Sequence, residues 1–139
     1  MIVLDTNVVS EAMSKHPSPR VLAVLDSLTE PPGITVITVA EIRFGIAMLP
    51  NGVRRQRLSV AAARVFDSLG PLVLPFDLPA ADVYAETASN RRSAGRPIAQ
   101  FDAVIASICR VKKATLLTRN VKDFVGTGIS LVDPWTDFL

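Results

Sequence analysis

Four places in this sequence put an acid or amide where chemistry, rather than solubility, could be its use: Asp5, Glu41, Asp102, and Asn120 with Asp123. Asp102 stands out most. It lies in Ile98-Ala99-Gln100-Phe101-Asp102-Ala103-Val104-Ile105-Ala106-Ser107-Ile108-Cys109, a stretch at helical spacing that is apolar nearly all round and is therefore expected to be buried. Capping explains the carboxylate only if the helix begins at Ala103. Otherwise an ionised group sits in a dry setting, which is costly unless a cation or hydrogen-bond donors compensate it. The cations nearest in sequence, Arg110, Lys112 and Lys113, are a helix turn or more away. Several carboxylates brought to one place repel each other, and a hard divalent cation, Mg²⁺ or Mn²⁺ in its stead, relieves that repulsion.

The other acids have two readings each. Asp5 closes Ile2-Val3-Leu4 and opens Asp5-Thr6-Asn7, three residue types that all serve as helix N-caps. Glu41 is expected to open the helix after the second strand, where the helix dipole would favour it, although its neighbours Val39, Ala40, Ile42 and Phe44 describe a half-buried setting. Asn120 and Asp123 read equally well as turn or cap residues. The chemistry the rest of the sequence permits is narrower. One histidine (His16) and one cysteine (Cys109) cannot make a Cys/His zinc site, an intrachain disulfide or a two-histidine nuclease. Any hydrolysis would run on carboxylates.

The elements that would position these groups follow from periodicity. Short apolar or β-branched runs at 2–4, 33–37, 71–76, 114–118 and 129–132 read as strands, and segments at 8–13, 19–28, 39–48, 54–69, 80–94 and 100–113 have helical spacing. Strands separated by helices of this length require crossover connections. The expected architecture is α/β: three layers, with a short, mainly parallel five-stranded sheet flanked by helices. In such sheets the functional crevice lies beyond the carboxyl ends of the strands, where Asp5, Glu41 and Thr118-Arg119-Asn120 all fall.

With 139 residues, 49% of them hydrophobic and 20% charged, the chain has the makings of one globular domain spanning residues 1–139. Its apolar runs are far shorter than a membrane helix needs, and no secretory signal pattern precedes Asp5, so a cytoplasmic protein is expected. The net charge of +2 permits a polyanionic partner without demanding one. Arg43, Arg91, Arg92, Arg96 and Arg119 are the candidate phosphate contacts. Arg43 and Arg119 lead because they adjoin the acids in sequence, whereas Arg54, Arg55 and Arg57 read as a solvated helix face.

Four segments in order resemble the PIN domains, and within them the VapC-type toxins of the FitB-like group: Met1-Ile2-Val3-Leu4-Asp5-Thr6-Asn7, Thr38-Val39-Ala40-Glu41-Ile42-Arg43-Phe44-Gly45, Phe101-Asp102-Ala103-Val104-Ile105-Ala106 and Leu117-Thr118-Arg119-Asn120-Val121-Lys122-Asp123-Phe124. The resemblance implies a Mg²⁺-dependent, single-strand-specific endoribonuclease in which Asp5, Glu41 and Asp102 carry the metal. It places Asn120 at the family's fourth acidic position, with Asp123 nearby, and Thr6 and Thr118 as hydroxyls of the same pocket. It also implies a homodimer, a small antitoxin that occludes the site, and products with a 5′-phosphate and a 3′-hydroxyl. A catalytically inactive PIN-fold binding module, or a phosphoryl hydrolase of another α/β family, is the alternative. A haloacid-dehalogenase-type phosphatase would want an aspartate where Asn7 stands, and neither a phosphate-binding loop nor a dinucleotide fingerprint is present.

Overall fold

The computed structural model of the chain describes residues 1–69 and 72–139. In order, it contains β1 (Ile2–Leu4), α1 (Thr6–Ala12), α2 (Pro19–Asp26), β2 (Ile34–Thr35), α3 (Val36–Ala47), α4 (Val53–Leu69), β3 (Val73–Leu74), α5 (Leu78–Ser93), α6 (Gln100–Val111), β4 (Thr115–Leu117), α7 (Val121–Phe124) and β5 (Ser130–Val132). Every strand pairing is parallel. The strands form a sheet β1-β4-β5 and a pair β2-β3, and these meet at a bridge between Val3 and Gly33. There Leu4 N–H donates to Gly33 O at 2.9 Å, and Gly33 N–H to Ile2 O at 2.8 Å. The five expected strands are thus all present, in the spatial order β3-β2-β1-β4-β5. The expectation for 71–76 begins at Pro71, outside the described residues, and the strand occupies Val73–Leu74.

The strands at the centre of the sheet are mostly apolar because they are covered on both faces. Alternation along the strand sends Val3, Leu116 and Leu131 to one core and Ile2, Leu4, Leu117 and Val132 to the other. The first core is closed by α5 and α6 through Ala80, Tyr84, Ile105 and Ile108, and the second by α1, α2, α3 and α4 through Val8, Val21, Ile42 and Ala62. These are the three expected layers.

Helix α6 is the spine of the first core. Residues Ala103 to Cys109 are buried without a break, and Ile105 and Ile108, each 1% exposed, stabilise the fold by about 1.5–3 kcal/mol apiece. Burial pushes the Cys109 thiol up to about 12, so it is an inert apolar side chain here. Helix starts are set by side chains that accept backbone N–H groups: Ser18 from Val21, Thr35 from Thr38 and Asp77 from Ala80. No helix among the described residues is long and apolar enough to cross a membrane.

Candidate active site

Strands β1 and β4 are parallel neighbours with Leu4 opposite Leu117, so the next residues, Asp5 and Thr118, emerge side by side at the carboxyl edge of the sheet. Asp5 is 5% exposed. Its Oδ1 accepts Thr6 N–H at 2.8 Å, and its Oδ2 accepts the Thr118 hydroxyl at 2.7 Å and Asn7 Nδ2 at 3.2 Å. Asp5 therefore caps α1 and also faces the crevice. Burial raises its pKa above the usual carboxylate value; the donors Thr118, Thr6 and Asn7 pull it back, and the charge of Asp123 adds to the rise.

Glu41 reaches the same edge from α3. It does not open that helix, as the sequence reading expected. Thr35 ends β2 and caps the helix, with Thr38 N–H donating to its Oγ1 at 3.2 Å, so α3 starts at Val36 and Glu41 lies in its second turn. A dipole-favoured position at the helix N-terminus cannot account for it. The Glu41 carboxylate accepts the Thr6 hydroxyl at Oε1, 2.7 Å away, and Thr6 Oγ1 is 3.1 Å from Thr38 Oγ1. With the Thr6 proton committed to Glu41, the buried Thr38 hydroxyl is the donor in that second bond.

Asp102 enters from α6. The helix begins at Gln100 with Ala99 at its N-cap, which leaves Asp102 inside the first turn, not at the cap. The ion pair among the described residues joins Arg110 to Glu86 at 3.3 Å, so no salt bridge neutralises Asp102. Its carboxyl is pushed up to about 6, first by burial and then by the charges of Asp5, Asp123 and Glu41, with Arg91 opposing. Repulsion among acids is thus a physical property of this crevice.

Asp5, Glu41 and Asp102 line one cleft of about 500 Å³, together with Thr6, Asn7, Ser10, Glu11, Arg119, Asn120 and Trp135. A wider groove of about 810 Å³ between α1, α3 and α4 shares Thr6, Ser10 and Glu41 with it, but Glu41 is the one acid in that groove's lining. The acids Asp5, Glu41 and Asp102 come together only in the smaller of these two. Thr118 lies under it, fully buried beneath Asp5. Asp123 is outside the lining; it acts on Asp5 and Asp102 through its charge.

The arginines divide differently from the sequence expectation. Arg119 lines the cleft, its N–H donating to Asn7 Oδ1 at 3.2 Å. Arg43 does not: its guanidinium lies over Phe66, 5.4 Å from the ring centroid, beside α4. Two residues after Glu41 on a helix is the opposite side, not the same face. Arg91 is no phosphate contact either. It is 7% exposed, with Nε donating to Arg96 O at 2.7 Å and Nη1 to Asp123 O and Val125 O at 2.9 and 2.7 Å. Arg92 and Arg96 are exposed and outside the cleft lining. Sequence reasoning missed Ser10, Glu11 and Trp135. Ser10 could have been found four residues from Thr6 on one helix face. Trp135 could have been found from its place just past β5, at the sheet's carboxyl edge.

The donor set is all oxygen, hard and net negative, which suits Mg²⁺ or Mn²⁺ and not a soft metal. No three His, Cys, Asp or Glu side chains among the described residues form a ready-made cage. An ion of the Mg²⁺ kind is held by one or two carboxylates, keeps several waters and takes substrate phosphate oxygens.

The sequence pattern of the PIN domain matches residues 2–126. The chain belongs to the PIN-domain family. This PIN domain is 39% identical over 142 residues to Toxin FitB of Neisseria gonorrhoeae, covering 99% of this chain and 100% of that one. It is 38% identical over 140 residues to VapC ribonuclease Y4jK of Sinorhizobium fredii, covering 97% and 98%. Among solved structures, it superimposes on a chain of FitAB bound to a DNA fragment with a TM-score of 0.93 at 36% identity, over 100% of this chain and 99% of that one. FitAcB from Neisseria gonorrhoeae gives 0.88 at 37% identity, over 99% and 100%. In this PIN fold Asp5, Glu41 and Asp102 line one cleft.

Proposed function

We propose that this PIN domain is a metal-dependent, single-strand-specific endoribonuclease and the toxin of a toxin–antitoxin pair. The observation that carries the proposal is the meeting of Asp5, Glu41 and Asp102 in one cleft, without a salt bridge to neutralise Asp102. The similarity to a named toxin and a named VapC ribonuclease over nearly the whole chain supplies the substrate class.

Asp5 and Asp102, with Glu41 beside them, would hold Mg²⁺ or Mn²⁺. The ion, when bound, acidifies water and stabilises the charge that develops on the phosphodiester oxygens. The protein's own part is orientation. Thr118, Asn7 and the Thr6 N–H fix both Asp5 oxygens. The Thr6 hydroxyl fixes Glu41 Oε1. Arg119 presents a cation at the cleft for an RNA phosphate, and Asn120 puts a neutral amide at the fourth acidic position.

The two solved structures are of FitAB bound to a DNA fragment and of FitAcB, and FitB is named a toxin. We therefore assign this chain a small antitoxin of the VapB or FitA kind, which covers the cleft, and a homodimeric toxin core. The test is cleavage of single-stranded RNA by the purified protein with Mg²⁺ or Mn²⁺, and its loss on adding chelator. Cleavage that survives excess EDTA would overturn the carboxylate–metal reading.

A further inference from the structure

Beyond the acids, one pair of side chains in the cleft has no part in holding metal: Arg119 and Trp135. Strands β4 and β5 are parallel neighbours with Leu117 opposite Val132, so the segments that follow them leave the sheet together. Just past β5, Asp133 makes a tight turn, its Oδ1 accepting Trp135 N–H at 2.9 Å and its carbonyl accepting Asp137 N–H at 2.7 Å. This turn sets the indole beside Arg119, whose guanidinium carbon lies 5.0 Å from the ring centroid. Trp135 packs partly against the core that holds Leu117, so its position is anchored. It lies beyond residue 126, where the PIN pattern match ends.

A planar cation on an anchored indole, at the rim of a cleft for phosphodiesters, is the combination that binds single-stranded nucleic acid: charge for the phosphate and a π surface for the base. We propose that Arg119 and Trp135 form a nucleotide subsite that pairs with an RNA phosphate and stacks the base next to the scissile bond. The inference rests on the ribonuclease reading of the same cleft. It makes Trp135 a substrate-binding residue, with its effect in KM and not in kcat.

Trp135 is the protein's one tryptophan, so its emission reports the subsite directly. A labelled 12-nucleotide single-stranded RNA of mixed sequence is titrated into wild-type protein in chelator, where the strand stays whole. Binding is followed by anisotropy and by tryptophan emission. The intact strand is expected to quench emission, and a strand of the same length made of abasic riboses is expected to bind about tenfold more weakly without quenching, the size of one stacked base. In Mg²⁺, W135A should raise KM about tenfold and leave kcat within about threefold, while W135F, which keeps the packing and an aromatic face, should recover most of the loss. Equal quenching by both strands, or W135A with wild-type KM on RNA that it cleaves, overturns the subsite and leaves the ribonuclease reading standing. No cleavage of any RNA by the wild type overturns both.

Discussion

The Thr118 hydroxyl donates to Asp5 Oδ2 at 2.7 Å, from a side chain with no exposed surface to a carboxylate with 5%. This bond crosses the seam between β1 and β4 and offsets part of the burial that raises Asp5. Removing it by Thr118→Val leaves a buried carboxylate short of a donor, at a cost of about 1–3 kcal/mol. Urea unfolding at neutral pH should show that loss, and cleavage should fall as Asp5 loses its fixed orientation. Thr118→Ser, which keeps the hydroxyl, should stay near wild type. A valine variant as stable and active as wild type would mean the bond carries nothing.

Two arginines that look alike in the sequence should behave oppositely. Arg91 satisfies three backbone carbonyls from two segments, residue 96 and residues 123–125, and so ties the approach to α6 to the corner after α7. Arg91→Met should destabilise the protein by about 3 kcal/mol, since it strips buried acceptors of their donors. Arg43 makes an exposed contact with Phe66. Arg43→Ala should cost about 0.5–1 kcal/mol and leave RNA cleavage unchanged. Thermal melts and cleavage rates of the two variants check both halves.

This contrast shows where the sequence could be read and where it could not. Asp102 was legible because it stands at the head of the nearly all-apolar run 103–109, where a charge is conspicuous. Asp5 was legible from the strand it ends, and the layers from the alternation of helices and strands. Arg43 was misplaced because adjacency in sequence is not adjacency on a helix. Arg91 reads as a surface cation until α5, the residue 96 turn and the α7 corner are folded together, because its partners are carbonyls, which no residue type announces. Glu41 was given too early a place in its helix because Val36 and Ile37 continue the β-branched run of Ile34 and Thr35, and the Thr35 cap decides where strand becomes helix. Trp135 had a signal, its place after the last strand, but its flanking acids Asp133 and Asp137 serve the turn and did not mark it as part of the cleft.

Asn120 lines the cleft and its N–H donates to Thr118 Oγ1 at 3.0 Å, so its backbone is fixed whatever its side chain. Asn120→Asp should therefore keep the fold and add a carboxylate to the donor set. Cleavage should survive, with half-maximal activity at a lower Mg²⁺ concentration. A large loss of activity with unchanged melting would assign the amide a role of its own.

Asp102 gives the last prediction, because its raised pKa would make a metal bound beside it visible in stability alone. In the folded, metal-free chain its carboxyl titrates near 6, against an ordinary value of 3.8. Between those values the folded chain holds a proton that the unfolded chain has lost, so its contribution to stability declines as pH rises from about 4 to about 6. Above pH 6 the full cost of the buried charge is present, and with it the repulsion from Asp5, Asp123 and Glu41. In chelator, Asp102→Asn should then melt higher than wild type at pH 7, and the gap should close as pH falls toward 4. Saturating metal should reverse the order. At about 100 times the dissociation constant, an ion that binds the folded state alone stabilises wild type by roughly 2.7 kcal/mol, and the variant should lose most of that gain. If Asp102 were instead a structural acid, its replacement would lower the melting temperature in chelator at pH 7, and Mg²⁺ would leave both proteins where they were.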